Sequence, residues 1–259
     1  MTRMVSKEKT TKIKVISYNI HKGFGWFRLR YQLDRMRKLL MQNQADVIFL
    51  QEVTGHWPIK SPSILTPLEH LAHQVWPHQV YGKNAVYKKG DHGNAILSRY
   101  PIIEDKNLDL TLHKWEKRGL LWAHLNVDGL ALHVGCVHLN LRHTDREAQV
   151  HKICQELSFI DEHEPLILAG DFNDWNQKLS HTLERELNLL EVHKIKNGAY
   201  KKTFPSFFPL LKMDRIYFRN LNVHDVDSLH LWDWHWLSDH KPVSAIFEHS
   251  SSRESVKKY

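Results

Sequence analysis

The chain has 259 residues, of which 42% are hydrophobic and 25% charged. That is ordinary for a globular protein and long enough for one large two-sheet or α/β domain. A formal net charge of +7 favours an anionic partner: nucleic acid, a phosphorylated small molecule or an acidic membrane surface. Two cysteines make no disulfide framework, the polar N-terminus carries no apolar signal core, and no stretch reaches ~18 consecutive apolar residues. A disulfide scaffold and a transmembrane helix are therefore excluded, and a reducing, cytoplasmic setting is expected.

Residues 1–11 and 249–259 read as polar tails around a single domain over 12–248. The alternation in 12–20 predicts a strand. Leu33, Met36, Leu39 and Leu40 recur at helical spacing within 31–44, and 46–53 is a short apolar run that predicts a buried strand. A helix is expected over 66–76, with Pro67 in its first turn. Strands follow at 78–87, 93–99, 102–112, 119–127 and 130–139, the last holding Cys136 as a buried free thiol. A helix over 145–163 leads to a strand at 165–172 and a short helix near 180–189. The stretches 212–219, 221–229 and 243–248 are strand again. This order predicts a mixed α/β domain of two packed sheets with helices outside, not a doubly wound parallel sheet. Neither a G-x-G-x-x-G nor a Walker loop is present, which argues against nucleotide-cofactor chemistry.

Four apolar runs end in a polar group capable of chemistry. Val15-Ile16-Ser17-Tyr18 ends at Asn19, and Val47-Ile48-Phe49-Leu50 ends at Gln51-Glu52. The run from Leu132 to Val137 ends at His138. Leu166-Ile167-Leu168-Ala169 leads into Gly170-Asp171-Phe172-Asn173, where Asp171 and Asn173, two apart, project to one side of a strand. Asp214 and the triplet Ser238-Asp239-His240 lie further on. Singly, each has a plainer reading. Asn19 and Asn173 suit turns, Glu52 a solvated strand end, His138 a core histidine, Asp239 a turn before Pro242, and Asp214 a partner for Arg215 or a surface cation. Together they supply the carboxylate and amide oxygens that hard cations take, beside imidazoles for proton transfer. There is no H-E-x-x-H and no Cys/His cluster of zinc spacing.

Tyr18-Asn19, Gln51-Glu52, His92-Gly93-Asn94-Ala95-Ile96-Leu97-Ser98, Val137-His138-Leu139, Gly170-Asp171-Phe172-Asn173, Asp214-Arg215-Ile216 and Ser238-Asp239-His240 resemble, in order, the endonuclease/exonuclease/phosphatase superfamily of DNase I-like fold. Residues 19–24, 81–87 and 203–205 look like its bacterial YbhP-like branch. The resemblance implies a four-layer α/β/β/α sandwich, with two packed mixed β-sheets flanked by helices and one site at their top. It implies a metal-dependent phosphoric ester hydrolase using Mg²⁺ or Mn²⁺, with Glu52 as main ligand and Asn19 and Asp239 completing or orienting the sphere. Asp171 would activate the attacking water, and Asn173 would hold the phosphate or that water. His240 would pair with Asp214 and donate to a phosphate oxygen, while His138 would contact the phosphate or act as acid. Asn94 and Arg118 are further substrate-binding candidates; Arg146 and Gln149, three apart on a helix, read as structural.

The superfamily leaves the ester open. His138 stands where abasic-site enzymes of this superfamily usually carry tyrosine, and the Phe172-Asn173-Asp174-Trp175 stretch lacks the form expected of inositol-phosphate phosphatases. A nuclease or other phosphodiesterase acting on DNA or RNA is the first reading. A phosphodiesterase or phosphatase for phospholipids, in peripheral contact with a membrane, or for small phosphate esters is the second; a non-catalytic nucleic-acid-binding module is the third. Trp26-Phe27-Arg28-Leu29-Arg30 suits either a stacked nucleic acid or a lipid headgroup. The loop 201–211 and Trp232, Trp234 and Trp236 could line the cleft, or simply pack on the sheet.

Overall fold

Among the residues that the computed structural model describes (10–25, 31–55, 65–87, 90–227, 229 and 231–250), strands alternate side chains between two faces and assemble into two sheets. The first half supplies β1 (Thr10–Asn19), α1 (Leu33–Gln42), β2 (Val47–Thr54), α2 (Pro67–Ala72), β3 (His78–Tyr87) and β4 (Gly90–Ser98). Then come β5 (Ile102–Asp109), β6 (Gly119–Val127), β7 (Leu130–His138), α3 (His143–Leu157), β8 (Leu166–Asp171) and α4 (Ser180–Leu187). The chain closes with β9 (Leu190–Glu191), α5 (Val192–Asn197), β10 (Asp214–Arg219), β11 (Asn222–Val226) and β12 (Val243–Ser250). One six-stranded sheet runs β11-β12-β1-β2-β4-β3, the other β5-β6-β7-β8-β10-β9. Both are mixed: β1 and β2 pair in parallel, as do β7 and β8, and the remaining neighbours are antiparallel.

Three apolar layers hold this arrangement. Ile13, Val15, Phe49, Val134, Ile167 and Ala245 belong to the core between the sheets. The outer face of the first sheet presents Ile16, Tyr18 and Leu50 to Leu33, Met36 and Leu40 of α1 and Leu68 and Leu71 of α2. Burying side chains of this size contributes about 1.5–3 kcal/mol each. The second sheet packs Leu166, Leu168 and Tyr217 against Val150, Ile153 and Leu157 of α3 and Leu183 and Leu187 of α4. The result is the four-layer α/β/β/α sandwich that the family resemblance implies.

Element boundaries shift for local reasons. Strand β1 begins at Thr10 inside the stretch read as tail, because Thr10 pairs with Ser250 at the end of β12. Helix α2 opens with a capping box, Thr66 accepting from the Glu69 amide and Glu69 accepting from that of Thr66. It ends four residues before the expected Trp76, since Gln74 takes a φ of 60°. Helix α3 stops at Leu157, where the Ser158 hydroxyl donates to the Gln155 carbonyl at 2.8 Å. Strand β5 stops at Asp109, whose carboxylate accepts from the Thr111 amide at 2.9 Å and turns the chain. The stretch Trp26-Phe27-Arg28-Leu29-Arg30 and the side chain of Trp232 lie outside the described residues. No described helix is long and apolar enough to cross a membrane.

Helix α5, unexpected from the sequence, ties the edges of the sheets together. Glu191 caps it by accepting from the Lys194 amide at 2.7 Å. Buried His193 lies between Glu191 (Nδ1 to Oε1, 3.2 Å) and Asp227 (Nε2 to Oδ1, 2.9 Å), and Lys201 also reaches Asp227. Burial opposes the charge of His193, but the hydrogen bonds to Asp227 and Glu191 raise its pKa above the ordinary value. A raised histidine pKa contributes stability below the unfolded value of about 6.5, lost as pH rises through the folded value. His193→Gln should therefore cost about 2 kcal/mol near pH 5.5 and clearly less near pH 8.5. Urea unfolding at the two pH values checks this, and an equal cost at both would show that the imidazolium contributes nothing.

Candidate active site

The inward columns of side chains change from apolar to polar at one end of the sandwich. On β1 the inward series is Ile13, Val15, then Ser17 and Asn19; on β8 it is Ile167, Ala169, then Asp171; on β7, Val134, Cys136, then His138. Register aligns these ends. His138 pairs across β7–β8 with Asp171, and Asp171 pairs across β8–β10 with Asp214, so three titratable groups form one row over three neighbouring strands. Gly170 is needed just beneath: its φ is +149°, and a Cβ there would lie 2.0 Å from the Val137 carbonyl oxygen.

Asp171 is the hub. Its Oδ2 accepts from the Asn19 amide at 3.1 Å and lies 3.5 Å from His138 Nε2 and 3.7 Å from His240 Nε2. Its Oδ1 accepts from the Asn173 backbone N–H at 3.0 Å. That bond closes a turn in which Asn173 adopts a φ of 50°, a conformation asparagine tolerates. The Asn173 amide then donates to the Leu139 carbonyl at 2.9 Å, joining β8 to the end of β7. Burial pushes the Asp171 carboxyl up to about 6; the His240 charge opposes this and Asp214 reinforces it.

His240 donates from Nδ1 to Asp214 Oδ2 at 2.8 Å. Burial works against its charge, yet Asp214 and Asp171 raise its pKa to about 10, so it is an imidazolium at neutral pH. His138 goes the other way: burial, then Arg118 and His240, lower its pKa well below the ordinary value and keep it neutral. Two buried imidazoles flanking one carboxylate thus carry different charges.

Glu52 and Asp239 form the more open side. Glu52 sits in the irregular register between Leu50 and Val53 with a φ of 54°, which breaks the strand alternation. Burial opposes its ionisation, but Lys22 (Nζ to Oε2, 3.6 Å), His21, His240 and Arg118 hold its carboxyl below the ordinary range. Asp239 lies 3.7 Å from His21 Nδ1. The Ser238 hydroxyl donates to the Asn19 carbonyl at 2.7 Å, fastening the Asp239–His240 segment to β1. His21 and Lys22 carry no motif of their own in the sequence; their signal is that they lie two and three residues after Asn19.

Asn94 lies below the cluster. Its amide donates to the carbonyls of Gly119 (2.9 Å) and Cys136 (3.2 Å), stitching β4 to the opposite sheet, as Gln51 does by donating to Cys136 Sγ at 3.2 Å. Burial pushes the Cys136 thiol up to about 12, consistent with a buried free thiol. Arg118 borders the site, with Nε donating to the Leu139 carbonyl at 3.2 Å and Nη2 to Glu116 at 3.0 Å. Arg146 and Gln149 bond loop carbonyls beside Asn140, a structural placement.

Two sheets packed face to face, with carboxylates, amides and imidazoles gathered at one end, are the architecture of the DNase I-like phosphoesterases. The profile of the Endonuclease/Exonuclease/phosphatase family matches residues 16–240, and the chain belongs to that family. It is 40% identical over 254 residues to the protein of Escherichia coli (strain K12) called uncharacterized protein YbhP, covering 93% of this chain and 98% of that one. Among solved structures it resembles an endonuclease/exonuclease/phosphatase from Beutenbergia cavernae DSM 12333 (TM-score 0.72, 20% identity, 93% of this chain and 72% of that one). It also resembles D. rerio TDP2 complexed with single-strand DNA product (TM-score 0.68, 18% identity, 92% and 99%). Members of this family are in general metal-dependent hydrolases of phosphate esters.

Proposed function

We propose that the chain is a divalent-metal-dependent phosphodiesterase that cleaves its ester by in-line attack of water. The observation that carries this reading is the buried Asp171 carboxyl, raised towards neutrality and set between an imidazolium and an amide donor. Asp171 accepts the proton of the attacking water as the new P–O bond forms and the P–O bond to the opposite oxygen breaks, that oxygen leaving as the alcohol with a proton taken from solvent. The Asn173 amide and the neutral His138 orient the phosphate, and the His240 imidazolium, held by Asp214, donates to a phosphate oxygen. Arg118 adds positive charge at the border. Protein catalysis of phosphoryl transfer is mostly positioning and electrostatics, so a rigid row of this kind suits it.

Two groups of side chains near the site carry metal-ligating atoms. Asp171, Asp214 and His240 offer ligand atoms within 4.8 Å of one another, but a protonated His240 hydrogen-bonded to Asp214 has no lone pair to give. Glu52, Asp239 and the side-chain Oδ1 of Asn19 are an all-oxygen set, the Glu52 and Asp239 side chains partly open to solvent and Glu52 held ionised, as Mg²⁺ or Mn²⁺ requires. These three would hold the ion, which when bound polarises the phosphate and neutralises developing charge.

Nucleic acid as the ester is supported by the net charge of +7 and by the DNA product in the D. rerio TDP2 structure. A phospholipid is supported by the loop 203–211, which bears exposed Phe208 and Leu210 and bonds to Asp239 through the Ser206 amide (2.8 Å). The test is a panel of plasmid, abasic-site oligonucleotide, phosphatidyl lipid and chromogenic diester with Mg²⁺ or Mn²⁺. We expect hydrolysis of at least one ester, a fall of about 100-fold or more in excess chelator, and recovery when the ion returns. Turnover that survives chelation would remove the metal from the mechanism.

A further inference from the structure

The exposed apolar side chains are not spread evenly over the molecule. Trp115 is 81% exposed, Phe208 63%, Leu141 57%, Trp236 54% and Leu210 53%. All five lie at the site end of the sandwich. Trp115 is in the loop between β5 and β6, whose first residues pair with the last of β7 just before His138. Leu141 follows His138 by three residues, Leu210 precedes Asp214 by four, and Trp236 precedes Asp239 by three. The turns at the other end, 44–46, 99–101, 128–129 and 220–221, expose no large hydrophobic side chain; Phe159, in the connection after α3, and Ile103, near the start of β5, are exposed towards that end.

These residues are presented firmly. Trp115 stacks on His113 with ring centroids 5.1 Å apart and planes 2° apart, and His113 is bonded to Asp145 at 2.9 Å. Phe207 stacks on Trp236 at 6.1 Å and 3°. Cations are interleaved with them: Lys114 and Lys117 flank Trp115, Arg142 follows Leu141, and Lys202 precedes the loop bearing Phe208. Aromatic rings beside cations would suit nucleobases as well as lipid. Leucines cannot stack on a base, and an exposed apolar rim of this kind is what an interfacial acyl layer covers.

We propose that the site end of this protein docks on an anionic phospholipid surface, Trp115, Leu141, Phe208 and Leu210 entering the headgroup–acyl boundary while the interleaved lysines and Arg142 meet the headgroup phosphates. The docking stands on the surface alone. The phospholipid phosphodiester as substrate rests in addition on the hydrolase reading above.

The test is sedimentation with vesicles of phosphatidylcholine alone, or of equal parts phosphatidylcholine and phosphatidylglycerol, using the full chain. We expect partition onto the anionic vesicles, lowered by about tenfold or more in a Phe208→Ser/Leu210→Ser variant and unchanged by Ile103→Ser, an exposed residue on β5 near the opposite end. Protein that stays in the supernatant, or partition that the double variant leaves intact, overturns the proposal. Binding of an oligothymidylate that depends on Trp115, with no vesicle binding, overturns it in favour of a nucleic-acid platform. Partition needs no turnover, so the two readings fail separately. Vesicle-bound protein that cleaves no ester upholds the docking and overturns the lipid as substrate. Cleavage of the chromogenic diester by protein that never binds vesicles overturns the docking alone.

Discussion

Replacing Asp171 by Asn should leave the protein folded and lower turnover of a phosphodiester by about two orders of magnitude or more. The substitution is nearly isosteric, and an amide oxygen at Oδ1 still accepts from the Asn173 N–H, so the turn survives. Two things change. The group that accepts the water's proton is lost, and so is one of the three carboxylates that raise the pKa of His240, Asp214 and Asp239 remaining. The imidazolium therefore persists in the variant, and the loss falls on proton acceptance. Binding should change little, so kcat drops while KM stays within a few-fold. Near-normal kcat with an unchanged circular dichroism spectrum would remove Asp171 from its assigned role.

Much of this arrangement can be read from the chain, and the readable part has a physical signature. Asn19, His138 and Asp171 each end an apolar alternation, and Asp214 begins one; a period of two therefore places all four on inward faces at the same end. What defeats sequence reasoning is side-chain direction over short distances. Asp214 and Arg215, adjacent in sequence, look like a pair, but neighbours on a strand point to opposite faces. Asp214 turns inward to His240, and Arg215 turns outward to Asp174 and Tyr217. Helix α5 is hidden for another reason. It has six residues, Val192–Asn197, too few for a periodic signal, and is fixed by the Glu191 cap and by Gly198 at a φ of 74°. Asn94 illustrates a third limit: its place beside a glycine suggests a loop contact to substrate, whereas its amide bridges the two sheets. The identity of the ester leaves no comparable trace, because it depends on loop surfaces and not on strand ends.

The outward-facing pair sets the second large effect, on stability. Arg215 and Asp174 are both buried, with Nη1 to Oδ2 at 3.0 Å, and Arg215 also donates to the Tyr217 hydroxyl at 3.0 Å and to the Asp174 carbonyl. Asp174 in turn accepts from the amides of Lys178 (3.2 Å) and Leu179 (3.1 Å), fixing the approach to α4. Asp174→Ala removes both functions and leaves a guanidinium in the interior without its counter-charge, a defect that costs about 3–5 kcal/mol. For a chain of this size that lowers the melting temperature by on the order of 10 °C. The same change should loosen the site, because the Phe172 amide beside Asp171 donates to the Met213 carbonyl at 3.0 Å, next to Asp214. Adding Arg215→Met removes the stranded charge and should recover most of the loss, since an apolar side chain of similar length fills the space between Tyr200 and Tyr217. Calorimetry on both single variants and the double variant decides the matter. A single-variant cost below about 1 kcal/mol would mean that water reaches Arg215 and that the pair does not brace the row behind the site.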